Sequence, residues 1–222
     1  MISGDFMDAT VLFEDKDIIV CIKPCGVLSQ SDEQGRENMI DILRSQTVTE
    51  IFPLHRLDRE VGGVMVFAKT KTAAAVLSRD IAENKLKKEY IAFIHGVPDE
   101  VKGEMRDLLF KDSRKNKSFV VKNKRKGVKE ALLEYDVVNS VSIENECYSV
   151  VKVLLHTGRT HQIRVQFASR KMPLAGDRKY GGKDTFKDIG LWSYRLTFNH
   201  PVTRQQMQYS AEPENFIKEY MI

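Results

Sequence analysis

Two polar clusters hold the residues whose types and spacing could do chemistry. The first is His55-Arg56-Leu57-Asp58, continued by Arg59-Glu60-Val61-Gly62-Gly63. Asp58 has an arginine two residues before it and another directly after it, and each nearby cation favours the ionised carboxylate. Such a group suits a nucleophile or a base better than a proton donor. Most aspartates in loops are structural ion-pair partners or turn residues, so this assignment needs support from the rest of the chain. The second cluster is His156-Thr157-Gly158-Arg159-Thr160-His161-Gln162-Ile163-Arg164. Arg164 follows His161 by three, so on a helix the two share a face near its start. A guanidinium there is suited to pair with a carboxylate or a phosphate.

The spacing also argues against other chemistries. His156 and His161 are five apart rather than the four that places two metal ligands on one helix face, and no glutamate stands where a metallohydrolase needs one. A glycosidase generally requires a second carboxylate as acid, and neither cluster supplies one nearby in sequence.

These clusters need elements to hold them. The run Val64-Met65-Val66-Phe67-Ala68 after the paired glycines reads as a buried strand, which would hold Asp58 rigidly. Thr70 or Thr72 can cap a helix to about Asn84, with Ala73, Val76, Leu77 and Ile81 on one face. Lys88 to Gly96 alternates as a strand, followed by strands near Met105–Phe110, Ser118–Lys122, Lys129–Asn139 and Cys147–His156. Upstream, Val11–Glu14 and Asp17–Lys23 read as two strands joined by a polar turn. Lys23-Pro24-Cys25-Gly26 reads as a turn, and Asn38–Arg44 as a short helix. Thr160 is placed to cap a helix whose Ile163 and Phe167 face the core. Pro173 to Gly182 is a turn-rich loop with glycines where backbone could approach closely. Leu191–Phe198 and Gln206–Ser210 form a hairpin around His200-Pro201, and a C-terminal helix is expected from about Pro213. Many strands with few inserted helices and no regular alternation predict an α+β fold, a mixed, largely antiparallel β-sheet core with flanking helices and loops.

At 222 residues and 42% hydrophobic content, the chain can bury a full core as one large domain or two small ones. Its net charge of +4 is mild, but the basic residues are unevenly placed. Between Lys111 and Lys129 stand Lys111, Arg114, Lys115, Lys117, Lys122, Lys124, Arg125, Lys126 and Lys129 against the single acid Asp112, a density suited to phosphates. Cys21, Cys25 and Cys147 form no Cys-x-x-Cys pair, which argues for a reducing compartment and for small buried side chains. No charged-then-apolar leader opens the sequence and no run is long enough to span a bilayer, so a soluble, cytoplasmic protein is expected.

Taken together, these motifs resemble the RluA-type pseudouridine synthases, which isomerise chosen uridines in ribosomal or transfer RNA. The resemblance spans nearly the whole length. It rests on His-Arg-Leu-Asp at 55–58, Lys-x-Tyr at 88–90, Gly-Arg-Thr-His-Gln-Ile-Arg at 158–164, Gly176-Asp177 with Tyr180-Gly181-Gly182, and His200-Pro201. The family usually follows its aspartate with Thr-Ser-Gly, where this chain has Val61-Gly62-Gly63. It also usually carries a larger aliphatic residue at Ala175.

The resemblance implies the pseudouridine synthase fold over 11–222, after a tail of residues 1–10 and without a separate N-terminal RNA-binding domain. It implies Asp58 as catalytic carboxylate and Tyr90 as the ring against which the flipped base rests. Arg164 would pair with Asp58, and Arg56 would fill the gap left by the base or grip its phosphate. No cofactor and no metal are implied, the partner is RNA rather than a membrane, and a monomer is expected. The rival reading is a catalytically silent RNA-binding module or RNA-folding helper of the same fold.

Overall fold

The computed structural model describes residues 8–221. In chain order its elements are β1 (Thr10–Glu14), β2 (Ile18–Lys23), α1 (Met39–Thr47), β3 (Phe52–Pro53), β4 (Gly62–Ala68), α2 (Lys71–Ala82), β5 (Lys87–His95) and β6 (Lys102–Asp112). Then come β7 (Lys117–Val121), β8 (Val128–Ile143), β9 (Glu146–Leu155), α3 (Gln162–Ser169), β10 (Leu191–Asn199), β11 (Gln206–Ser210) and a single 3-10 turn, Phe216–Tyr220. The fold is α+β, with mostly antiparallel sheet and three α-helices. Among the described residues no helix is long and apolar enough to cross a membrane.

The chain divides into two compact units, one of residues 8–86 with Arg195–Ala211, the other of Lys87–Tyr194 with 212–221. In the first unit, β1 pairs with β2 and β2 with β4, all antiparallel. The β1–β2 turn closes because Asp15 Oδ1 accepts the backbone N–H groups of Asp17 and Ile18, both at 2.8 Å. All seven residues of β4 are buried, as its unbroken apolar run requires. Helix α2 starts where Thr70 accepts from the Ala73 N–H at 3.1 Å. Its Ala73 and Leu77 join Ile18, Val20, Val64, Val66, Leu196 and Phe198 in one core. Asn38 caps α1 by accepting from the Asp41 N–H.

The second unit is an antiparallel sheet in the order β5-β9-β8-β6-β7. Helix α3 packs against β6 and β7, and Val165 joins Leu109 and Ala131 in a small core beside Tyr180. Expectation and structure differ here. The N-cap of α3 is His161, not Thr160; it sits at φ 54, in left-handed conformation, and makes no side-chain cap bond. Thr160 instead offers its carbonyl to Ser118 Oγ at 2.7 Å. The helix is not amphipathic either. Gln162 to Phe167 are all buried, and the side-chain N–H groups of Gln162 and Gln166 donate to the carbonyls of Leu132 and Met105. At the C-terminus Asn215 starts a 3-10 turn rather than an α-helix, and Phe216 and Tyr220 pack on Phe93.

Of the three cysteines only Cys21 is buried. Burial pushes its thiol up to about 12, which leaves it inert. Cys25 is half-buried and Cys147 exposed, so the expected burial holds for one of the three. Of the expected N-terminal tail, residues 1–7 lie outside the described residues.

Candidate active site

The first cluster lies in an irregular segment between β3 and β4, and its backbone is fastened on both sides. Ser29 Oγ donates to the Leu57 carbonyl and accepts from the Leu57 N–H, both at 2.9 Å. Asp58 closes a tight turn, its carbonyl accepting from the Val61 N–H at 3.0 Å. Arg59 and Gly26 are joined twice. The Arg59 carbonyl accepts the Gly26 N–H at 2.9 Å, and Arg59 Nε donates to the Gly26 carbonyl at 2.8 Å. His55 Nε2 accepts the Val66 N–H at 3.2 Å, so in the neutral ring the hydrogen sits on Nδ1. Leu57 is buried as the anchor; Asp58 is half-buried and Arg56 exposed. Gly63, inside the triplet that departs from the family's pattern, has φ 120, a conformation side chains rarely adopt.

Beneath this segment lies a residue whose role the sequence does not announce. Lys23, read as part of a turn, is 0% exposed at the end of β2. Its Nζ donates to the carbonyls of Val27 at 2.6 Å, Pro24 at 2.8 Å and Arg59 at 3.1 Å. Burial pulls its ammonium down to about 8, although the charges of Cys25, Glu60 and Asp58 favour the protonated form and Arg59 opposes it. One buried cation therefore ties the Pro24–Val27 turn to the Asp58 segment and adds positive potential beside that carboxylate. A signal for it exists: Lys23 lies in phase with buried Ile19 and Cys21 on an apolar strand.

The second cluster is organised around Arg164, 5% exposed. Its partner within the unit is Asp177, 1% exposed, gripped by a two-pronged fork of Nε to Oδ2 at 2.7 Å and Nη2 to Oδ1 at 2.8 Å. The guanidinium lies over the Tyr180 ring, 5.4 Å from its centre. The Tyr180 hydroxyl accepts the Ser118 N–H at 2.7 Å and meets His161 Nδ1 at 2.9 Å. Burial raises this phenol against the opposing effects of Ser118 and Arg164, so it stays neutral at ordinary pH.

The loop that carries Asp177 and Tyr180 is compact because of its glycines. Gly176 has φ 72, and a Cβ there would stand 1.9 Å from the Asp188 carbonyl oxygen. A Cβ on Gly182 would stand 2.9 Å from both the Asp177 nitrogen and the Leu174 oxygen. The expected close backbone approach is therefore to the loop's own partners. Asp184 fastens the same loop by accepting from the Gly176 and Phe186 N–H groups at 3.0 Å and meeting His95 Nε2 at 2.6 Å. Burial alone would raise its carboxyl, but these bonds outweigh it and hold it below the usual range.

Tyr90 is 6% exposed and lies opposite Val153 where β5 becomes buried. The basic segment forms the β6–β7 hairpin and the loop into β8, and all its cations but Lys117 are exposed. Lys117 donates to the Lys179 carbonyl at 2.5 Å and lies 4.8 Å from the Tyr180 ring centre, which joins the hairpin to the Arg164 assembly. Lys124 pairs with Glu130 at 2.7 Å and Arg125 stacks on Phe110.

The histidines of the metal reading are bound otherwise: His156 meets Glu134 at 2.8 Å, and His161 meets Tyr180. Asp15, Asp17 and His200 have ligand atoms within 4.8 Å of one another. Yet His200 Nδ1 accepts the N–H groups of Val202 and Thr203, so Nε2 carries the hydrogen and donates to Asp15 at 2.9 Å. The geometry is that of a hydrogen-bonded corner rather than a chelate.

Residues 17–169 match the family model for RNA pseudouridylate synthase. The chain belongs to that family. It is an isomerase acting on RNA by class. A ribosomal large subunit pseudouridine synthase C of Buchnera aphidicola is 36% identical over 90% of this chain and 66% of its own length. A tRNA pseudouridine synthase C of Haemophilus influenzae is 28% identical over 90% of this chain and 91% of its own. The solved structure of human RNA pseudouridylate synthase domain containing 1 superposes with a TM-score of 0.79 at 22% identity, covering 96% of this chain and 86% of the other, and supports the fold.

Proposed function

We propose that this pseudouridine synthase converts chosen uridines to pseudouridine in ribosomal or transfer RNA, with Asp58 as the catalytic carboxylate. The reaction breaks the bond from ribose C1′ to N1, rotates the freed base and rejoins it through C5, which gives up its hydrogen. Redox state is unchanged and no water is consumed. Asp58 serves as nucleophile at sugar or base, or as the base that starts elimination.

The observation that carries this reading is the double fastening of the Asp58 segment, Ser29 to Leu57 on one side and Gly26 to Arg59 on the other, over a buried lysine. A carboxylate whose backbone cannot shift is pre-positioned for reaction, and that saves the cost of ordering it at the moment of chemistry. The target base is extruded from its stack and rests against Tyr90, at a cost of a few kcal/mol. Arg56, exposed beside Asp58, takes the place of the extruded nucleotide or grips its phosphate. Arg164 supplies a fixed positive charge for the substrate, with its stem and fork already set by Asp177 and Tyr180. The exposed cations of the β6–β7 hairpin add affinity that does not depend on sequence.

The test is release of tritium from RNA labelled at uridine C5, using transcripts of large-subunit ribosomal RNA and of transfer RNAs. Release by the wild-type protein from one class supports the reading and names the class. Absence of release from both, with tight salt-sensitive binding, would leave a silent RNA-binding module.

A further inference from the structure

Side chains two apart on a strand share a face, so Lys88 and Tyr90 lie on one side of β5, about 7 Å apart along it. The nearby lysines are either solvated or paired: Lys87 is exposed, Lys85 meets Glu83 at 2.5 Å, and Lys152 meets Glu89 at 2.9 Å. Lys88 is neither. It is half-buried, and burial holds its ammonium below the ordinary lysine range with no opposing charge at hand. Among the described residues it has no hydrogen-bond or ion-pair partner. Withdrawing a cation from water without a counter-charge works against folding, so the native state holds it at a cost in stability.

Its surroundings are suited to an anion. A Cβ on Gly158 would lie 3.6 Å from Lys88 Nζ, so the ammonium abuts the start of the Gly158–His161 loop, and the glycine leaves that side free of any side chain. The same loop runs into α3, whose N-cap His161 provides no side-chain hydrogen bond to the first turn. A helix start and a cation both favour negative charge, and here four residues join them.

We propose that Lys88 receives a backbone phosphate of the substrate RNA, beside the base held at Tyr90. This deepens the RNA isomerase reading and rests on it. The phosphate supplies the counter-charge that the protein withholds, so the site is completed when RNA arrives. Lys88 is thus a binding residue that fixes the register of the strand relative to Tyr90.

The experiment compares wild type with Lys88→Met and Lys88→Arg on the transcript that gives the most tritium release, or failing release the one bound most tightly. Affinity is measured across a salt series, and each variant is melted without RNA. Lys88→Met is expected to bind roughly tenfold more weakly, as loss of a hydrogen bond to a charged group predicts. Its slope of log affinity against log salt should flatten by about 0.7 to 0.9, the value of one neutralised phosphate. Lys88→Arg should restore the slope, and Lys88→Met should melt no lower than wild type. Lys88→Met binding with wild-type affinity and slope would overturn the proposal. So would a lowered melting temperature with weakened binding that arginine does not rescue, since that is the mark of a structural lysine. If wild type releases no tritium from any RNA, the isomerase reading fails, while the slope comparison still decides whether Lys88 touches phosphate.

Discussion

Lys23 shows how one residue can set the conditions around the proposed catalytic carboxylate. In the unfolded chain its ammonium titrates at ~10.4, and burial in the folded protein pulls it down to about 8. Between those values the unfolded chain holds the proton and the folded chain has released it. Stability from this residue therefore rises as pH increases from about 8 toward ~10.4, by up to about 3 kcal/mol. Relative to Lys23→Met, wild type should gain stability across that window, as followed by urea unfolding at several pH values. A difference that stays flat with pH would show that the amine is not desolvated. Below pH 8 the same substitution should still lower activity, because the carbonyls of Val27, Pro24 and Arg59 lose their shared donor. Arg164 presents a second residue-scale test. Its fork to Asp177 is buried on both sides, and removing one partner of such a pair costs about 3–5 kcal/mol. Asp177→Ala should accordingly melt on the order of 10 °C lower, and an unchanged melting temperature would mean that the pair contributes nothing to the fold.

At the scale of elements, the β6–β7 hairpin has cations of two kinds. Lys117 holds the hairpin to the Lys179–Tyr180 loop, whereas the other cations are exposed, Arg125 stacking on the hairpin's own Phe110 and Arg114, Lys115, Lys122 and Lys126 among the rest. Replacing those four with glutamine should leave the fold intact, weaken RNA binding and flatten its salt dependence, by about 0.7–0.9 in the slope for every phosphate no longer neutralised. An unchanged slope would take the hairpin out of the RNA interface. The strands and helices around it are legible in the sequence, because alternation on β5 and the apolar run of β4 are strong signals. Thr70 and Asn38 announce their helices by residue type. Helix α3 is legible in place but not in character. Its polar residues Gln162, Arg164 and Gln166 have the look of a solvated face, and only their partners across the fold show why they are buried. The start of α3 departs from expectation for a similar reason: threonine is the better cap by propensity, but Thr160's carbonyl holds Ser118 instead.

For the whole molecule, the motifs identify the family more readily than they explain the site. Asp58, Tyr90 and Arg164 can be singled out by position and resemblance. What cannot be read is the support beneath them: the Ser29 clasp on Leu57, the bond from buried Lys23 to the Arg59 carbonyl, and the Asp177 and Tyr180 settings of Arg164 all join residues well separated in sequence. The Val61-Gly62-Gly63 departure from the family's Thr-Ser-Gly leaves the Asp58 turn intact, since the turn is closed by the Val61 backbone N–H, which any residue but proline supplies. The molecule's claim on function rests on Asp58, and the most direct measurement is tritium release from C5-labelled RNA by wild type and Asp58→Ala side by side, with RNA affinity measured for both. Release by wild type alone, at nearly equal affinity, is the expected result. Substantial release by Asp58→Ala would contradict it and remove that carboxylate from the reaction.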